Sequence, residues 1–440
     1  MPNSESILKN NFQRLWHSHF MRSVFTLASG TAFAQIINMA FAPLIARMYG
    51  PEAFGLLGTF MAILAIVIPL AALAYPVAIV LPRENCDATD LVRLSFVITI
   101  GISLLVASIL AVSGNWIIQL FSVQAVADYI YLIPCVMFFA AMGQIAQQSL
   151  IRVQEYGGVA RSAVGHSLIM NMSKVGVGWI YPVSAVLITL SVIGYALHAV
   201  FLYFGARKIY IKDPINVAGA SVSRLKELAI QYRDFPLYRA PQNFINAASQ
   251  SAPVLLLAVF FGPIAAGCYA LAKSVMGVPI TLVGKAVGDV FYSRVVNAAH
   301  AKENIARHIL RATAVLFIVA VVPFVIIFLF GSEIFGYIFG AQWINAGIYA
   351  QWLALFFLFN LINKPAVAAV PVLGIQRGLL VYEIFSTGLK VFGLFLGFFW
   401  FGSDIWAVAL FSVFGVVAYV IMMVWIIDHA VRKKYEEASR

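Results

Sequence analysis

Residues 233–294 read RDFPLYRAPQNFINAASQSAPVLLLAVFFGPIAAGCYALAKSVMGVPITLVGKAVGDVFYSR. Two apolar runs flank the turn Phe261-Gly262-Pro263, each long enough to cross a bilayer, which takes about 20 residues as a helix. Glycine and proline are scattered where a plain lipid-facing helix would carry leucine. Arg239, Gln242, Asn243, Asn246, Ser249 and Gln250 crowd the first run, and Lys273 sits inside the second. The stretch is therefore a membrane hairpin with polar groups that need a partner.

The rest of the chain agrees. Of its 440 residues 62% are hydrophobic and 11% charged, with a mean hydropathy of +0.91. A soluble domain carries about 25% charged residues, so this chain has too few to solvate a globular surface. Its apolar runs are continuous and do not alternate, which excludes a β-barrel and predicts an all-α integral membrane protein. The net charge of +11 is first explained by basic anchors in cytoplasmic loops, with no nucleic acid partner implied. Cys86, Cys135 and Cys268 are too scattered for a metal or disulfide framework. No metal site or cofactor is expected.

About twelve helices are predicted, at Ser23–Ala46, Phe54–Val80, Leu91–Val112, Ala127–Leu150, Val159–Ile180, Val183–Phe204, Pro236–Phe261, Ala265–Val290, Ala312–Phe330, Ala346–Leu373, Leu379–Trp400 and Trp406–Ile427. Alternate loops hold the basic residues, Arg47 being the exception, and this places both termini in the cytoplasm. The longest polar segment divides the chain into an N-terminal six-helix bundle (1–206), a cytoplasmic connecting loop (207–235) and a C-terminal six-helix bundle with a cytoplasmic tail (236–440). The halves share a turn: Gly50-Pro51-Glu52-Ala53-Phe54-Gly55 after the first helix matches Gly262-Pro263-Ile264-Ala265-Ala266-Gly267 after the seventh. Proline just inside a helix start and glycine in the turn give G-P-x-A-x-G a local cause. With an even number of helices per half, the repeats are related by a pseudo-two-fold along the membrane normal.

Tyr49-Gly-Pro-Glu-Ala-Phe-Gly55, the entry FPLYRAPQNFINAASQSAPVLLL (235–257), the turn FFGPIAAGCYALA (260–272) and the run VPITLVGKAVGDVFYSR (278–294) resemble the polysaccharide flippase (Wzx-type) family of lipid-linked oligosaccharide transporters. The resemblance covers nearly the whole chain. It implies the two-bundle fold shared by multidrug and toxin extrusion (MATE) antiporters and MurJ-type lipid II flippases. It further implies an undecaprenyl-diphosphate-linked oligosaccharide as substrate, moved across a bacterial inner membrane for O-antigen, capsule or exopolysaccharide assembly. A polysaccharide polymerase and a chain-length regulator are the candidate partners besides the lipid bilayer.

An ionisable side chain within a span costs roughly 2.5–3.5 kcal/mol on insertion scales, so it faces a partner or water. Lys174 lies in the fifth predicted helix beside Asn171; Lys273 in the eighth; Lys364 in the tenth; Glu383 and Lys390 in the eleventh, on one face two turns apart. Either these lysines line a cavity that neutralises a diphosphate, or they pair with acids such as Glu383 or snorkel to the interface. Arg239 and Asn243, where the seventh helix begins, stand where an anionic headgroup would enter, and a guanidinium suits phosphate oxygens. Glu383 and Asp128 are the candidate ion or proton sites. Lys285 and Asp289 are spaced for a local ion pair. Gly277 and Pro279 form the preferred bending point, with Gly50, Pro51, Gly262 and Pro263 at the turns.

An enzyme such as a polysaccharide polymerase would need a sizeable outer loop with catalytic side chains, and no predicted outer loop is long enough. A multidrug antiporter of the same fold, coupled to cations, is the competing reading. It would be expected to line its cavity with acids and aromatics, whereas basic residues predominate here.

Overall fold

The computed structural model describes residues 19–120, 124–212, 221–301 and 303–438, and every regular element among them is helical. In chain order the longer helices are α1 (His19–Val67), α2 (Asn85–Leu120), α3 (Ile133–Arg152), α4 (Tyr156–Gly178), α5 (Ser184–Lys212), α6 (Val222–Gln231), α7 (Ala240–Phe261), α8 (Pro263–Pro279), α9 (Lys285–His300), α10 (Ile305–Phe339), α11 (Ile344–Ile362), α12 (Lys364–Leu373), α13 (Gln376–Phe399) and α14 (Asp404–Ala438).

Nine of the described helices are long and apolar enough to cross a membrane, or ten if the bent pair Gln124–Ile130 and Ile133–Arg152 is one span. The protein is a multi-pass membrane protein. Two features separate this number from the twelve predicted helices. First, Ala28–Leu70 counts as one span of 43 residues, about 65 Å at 1.5 Å per residue, twice the roughly 30 Å hydrocarbon layer. It is interrupted at Gly50, whose backbone (φ 75°, ψ 172°) is not helical. Second, α4 is too polar to pass on composition, with Asn171, Ser173 and Lys174 in its second half. The predicted fourth helix is broken after a single turn, Ala127–Ile130, and bends by 61° into α3, where Pro134 sits in the first helical turn and fits only there.

The chain forms two compact units. One takes the chain up to Tyr49 together with Thr59–Ser251, and the other takes Gly50–Gly58 and the chain from Ala252 onward. In the first unit α5 packs on α3 and α4, α2 packs on α3, and α6 packs on α2. Leu228 of the amphipathic α6 is fully buried in a cluster with Tyr75, Ile79, Leu91, Leu94 and Ile145. Ser221 caps α6 by accepting from the Ser223 N–H at 3.3 Å.

In the second unit α11 is central, touching α8, α10 and α14. The span that contains it is 67% buried along its apolar window, against 22–39% for the other spans from Phe235 onward. On α10 the exposed face is Val315, Ile318, Val319 and Val322, a helical stripe of aliphatic groups that only lipid would favour. Gly262 (φ 84°) precedes α8 as Gly50 precedes its own helix. Pro279 offers no N–H, and the chain continues beyond it as a π-helical turn, Ile280–Gly284.

Candidate functional site

Lys174 lies half-buried on α4 in the first unit. Its helix is tied to α1 by side chains that the sequence offers at one-turn spacing. Ser167 donates to Asn38 Oδ1 at 2.6 Å and Asn171 Nδ2 donates to the same oxygen at 2.7 Å. Tyr49 Oη donates to the Lys174 carbonyl at 2.8 Å. Asn171 is thus occupied in holding α4 on α1, and Lys174 is the group of this pair that carries charge into the unit's interior.

One turn and two turns back from Lys174 are Met170 and His166. The His166 ring lies 5.0 Å, centroid to centroid, from that of His198 on α5. His198 lines a cavity of about 210 Å³, whose wall also includes Ile68, Phe139, Gln144, Gln147 and Tyr195. Amides, a phenol and an imidazole therefore converge within the first unit. None of these side chains was singled out by sequence reasoning. The signal was present as Gln144 and Gln147 at i, i+3 and as histidines within apolar runs, but neither reveals which helices meet.

Arg239 ends a π-helical turn, Phe235–Arg239, that leads into α7. Its side chain is exposed, with Nη1 3.4 Å from Gln242 Oε1, and Asn243 follows one turn on, half-buried. Asp128 is exposed in the single turn before the bend into α3.

The second unit holds the other lysines. Lys390 Nζ stands 6.0 Å from the centre of the Phe356 ring on α11, within cation–π range. Phe356 packs against Tyr419 of α14 at 5.4 Å. Asn360 donates to the Tyr419 hydroxyl, and Asn363 Nδ2 donates to the Tyr419 carbonyl at 3.2 Å. Among the described residues the side-chain oxygens of Asn360 and Asn363 are buried without a hydrogen-bond partner. A buried acceptor left so costs about 1–3 kcal/mol unless water or a ligand meets it. Lys364, next along the chain, folds its stem over Gly284. Lys390, Phe356, Tyr419, Asn360, Asn363 and Lys364 form a continuous polar and aromatic band across α11–α14.

Among the described residues no ion pair joins Glu383 to Lys390 or Lys364; ion pairs elsewhere include Arg93–Asp90, Arg224–Asp87, Arg224–Glu227, Arg294–Glu303, His308–Glu303 and Arg432–Asp428. The expected pairing of Glu383 with one of these lysines is not made as a direct contact, though Glu383 lies near enough to Lys390 to act on it electrostatically. Lys273 is half-buried on α8. The side chains of Lys285 and Asp289 lie outside the described residues. Glu84, Cys86 and Asp87 bring ligand atoms within 4.8 Å of one another. Cys86 already donates to Glu84, and Asp87 pairs with Arg224, so their own contacts account for the grouping.

Solved structures place this architecture. An inward-facing multidrug-resistance MATE transporter of the MOP superfamily superposes with a TM-score of 0.70 at 16% identity, over 90% of this chain and 96% of that one. The lipid II flippase MurJ in an inward closed conformation gives 0.67 at 13% identity, over 91% and 87%. A MOP superfamily transporter from Pyrococcus furiosus, described as having a binding pocket of reversed polarity that suggests a different function, gives 0.58 at 16%, over 92% and 94%. No match was found among curated protein sequences. The fold is the one these MOP superfamily transporters share. More narrowly, the family described as "Polysaccharide biosynthesis protein" matches residues 44–348, more than half of the chain. The chain belongs to that family.

Proposed function

We propose that the protein flips an undecaprenyl-diphosphate-linked oligosaccharide repeat unit across the bacterial inner membrane, for O-antigen, capsule or exopolysaccharide assembly. The observation that carries this reading is the sign of the interior charge. Lys174, Lys273, Lys364 and Lys390 lie half-buried within the helices, where a cation is tolerated only beside water or a counter-charge. Among the described residues Glu383 makes no direct ion pair with Lys390 or Lys364, and a diphosphate supplies negative charge to Lys174, Lys364 and Lys390. Arg239 meets the headgroup at the cytoplasmic side, and the band around Phe356 and Tyr419 offers aromatic faces and free amide oxygens to sugars. Membership of a polysaccharide biosynthesis family and a fold shared with a lipid II flippase point the same way.

Transport proceeds by alternating access, the halves 1–206 and 236–440 moving against each other with Gly277 and Pro279 as the bending point. Both termini face the cytoplasm. The competing reading, a cation-coupled multidrug antiporter, draws on the likeness to MATE proteins but must bring a cationic drug against the same lysines. Lys174, Lys390 and Arg239 are replaced singly by alanine in the host strain. Lipid-linked repeat units then accumulate on the cytoplasmic leaflet and surface polysaccharide falls. Normal polysaccharide from correctly inserted variants contradicts the cavity assignment.

A further inference from the structure

We propose that the His166–His198 pair, at the cavity of the first unit, is a one-proton site that loads when Lys174 is engaged by the substrate diphosphate. The proposal rests on the flippase reading above and adds to it a coupling ion and the residues that bind it.

The geometry has three parts. The two imidazoles are 5.0 Å apart, so a proton on one opposes a second on the other, and the pair takes up one charge in preference to two. His198 stands in the wall of a cavity of about 210 Å³, which has room and polar partners for water and so gives protons a way in. Lys174 lies eight residues along α4 from His166, about 12 Å of helix rise, a separation across which charges in a low-dielectric interior still interact.

The groups facing the pair come from every element packed against it. From α4 comes Lys174 and from α5 Tyr195. From α3 come the neutral amides of Gln144 and Gln147, and from the turn that follows α1 the apolar Ile68. The remaining described arginines of α3 and α4 are occupied elsewhere. Arg152 donates to the carbonyls of Ile79 and Pro82, and Arg161 donates to that of Gly157. No carboxylate is among the facing groups described; the Gly194 backbone, hydrogen-bonded to His166, is the polar group that favours a proton there, and the Lys174 charge opposes it.

An anion on Lys174 changes that balance. It cancels the field that opposes protonation, and the pair then accepts a proton from the cavity water onto a free ring nitrogen. Linkage makes the effect reciprocal: if binding takes up a proton, a lower pH strengthens binding. One linked proton limits the gain to about tenfold in affinity per pH unit.

The test uses the full chain purified in detergent and undecaprenyl diphosphate without sugars as the probe. Isothermal titration calorimetry in buffers of different ionisation enthalpy counts the protons taken up. Wild-type protein is expected to take up close to one proton on binding and to bind up to about tenfold tighter per pH unit lowered. His166→Asn and His198→Asn are expected to keep binding but lose the pH dependence. Lys174-dependent binding with no proton uptake overturns the proposal and leaves the flippase reading standing.

Failure of the wild type to bind the diphosphate overturns that reading instead, and the pair is then tested alone. With 15N-histidine labelling and the two Asn variants for assignment, nuclear magnetic resonance should show the pair neutral at neutral pH in the wild type and taking its one proton at a higher pH in Lys174→Ala than in the wild type. Two independent protonations, or a titration that Lys174→Ala leaves unmoved, overturn the site.

Discussion

Gly55 rests so close to Pro263 that a Cβ on it would fall 1.7 Å from the Pro263 carbonyl oxygen. The relationship is reciprocal: a Cβ on Gly267 would fall 2.0 Å from the carbonyl oxygen of Pro51. The two G-P-x-A-x-G motifs therefore clasp each other, last glycine against first proline. Substituting either glycine by alanine should force backbone apart at a cost of about 1–3 kcal/mol. Thermal unfolding of the detergent-purified protein should show both variants melting below wild type. Gly176→Ala, where nothing lies within 4 Å, should melt no lower than wild type.

Asn38 accepts hydrogen bonds from both Ser167 and Asn171. Asn38→Leu removes that acceptor; Ser167 keeps the Ala34 carbonyl at 3.0 Å and Asn171 keeps the Ser167 carbonyl at 2.7 Å, so one amide N–H of Asn171 is left short, at about 1–3 kcal/mol. The same melting measurement should show a larger loss for Asn38→Leu than for Ser167→Ala, which removes only one donor. Equal losses would mean that the network does not hold α4 on α1.

The docking of α6 gives a third expectation. Leu228 is fully buried, Tyr75 Oη donates to the Ala229 carbonyl at 3.0 Å, and Arg224 bonds Glu227 and Asp87. Those two carboxylates, Glu227 first, hold the Arg224 guanidinium above its already high range, so its charge persists at every working pH. Leu228→Ala should cost about 2–5 kcal/mol of docking energy. It should appear as faster hydrogen exchange across 222–231, while Lys226→Ala should leave the exchange unchanged.

Much of the architecture was legible because membrane helices announce themselves by length and apolarity. The recurrence of Gly50-Pro51 and Gly262-Pro263 was visible for the same reason, since turns need those residues locally. That the motifs clasp was not visible, because contact between residues 55 and 263 is a property of packing and leaves no mark on spacing. The 61° break before α3 was hidden likewise. At the site, the interior lysines stood out against an apolar background. His166 and His198 did not, since a histidine in a helix reads as unremarkable until the helix beside it is known.

Sidedness can be checked at Cys86, which is exposed in the first turn of α2, next to the basic loop at Arg83 assigned to the cytoplasm. In a chain carrying Cys135→Ser and Cys268→Ser, a membrane-impermeant maleimide should label Cys86 in inverted vesicles and not in intact spheroplasts. Labelling of intact spheroplasts would reverse the orientation.

The most direct measurement of the central claim is flipping itself. The protein is reconstituted in liposomes holding a fluorescent undecaprenyl-diphosphate-linked oligosaccharide, and the leaflet of the label is read by a membrane-impermeant quencher. Wild-type protein should exchange the label between leaflets. Lys174→Ala and Lys390→Ala should reduce that exchange at least about tenfold, as loss of a charged contact worth 1.4 kcal/mol or more requires. Exchange no faster than in protein-free liposomes, or unaltered by removal of both lysines, would contradict the account.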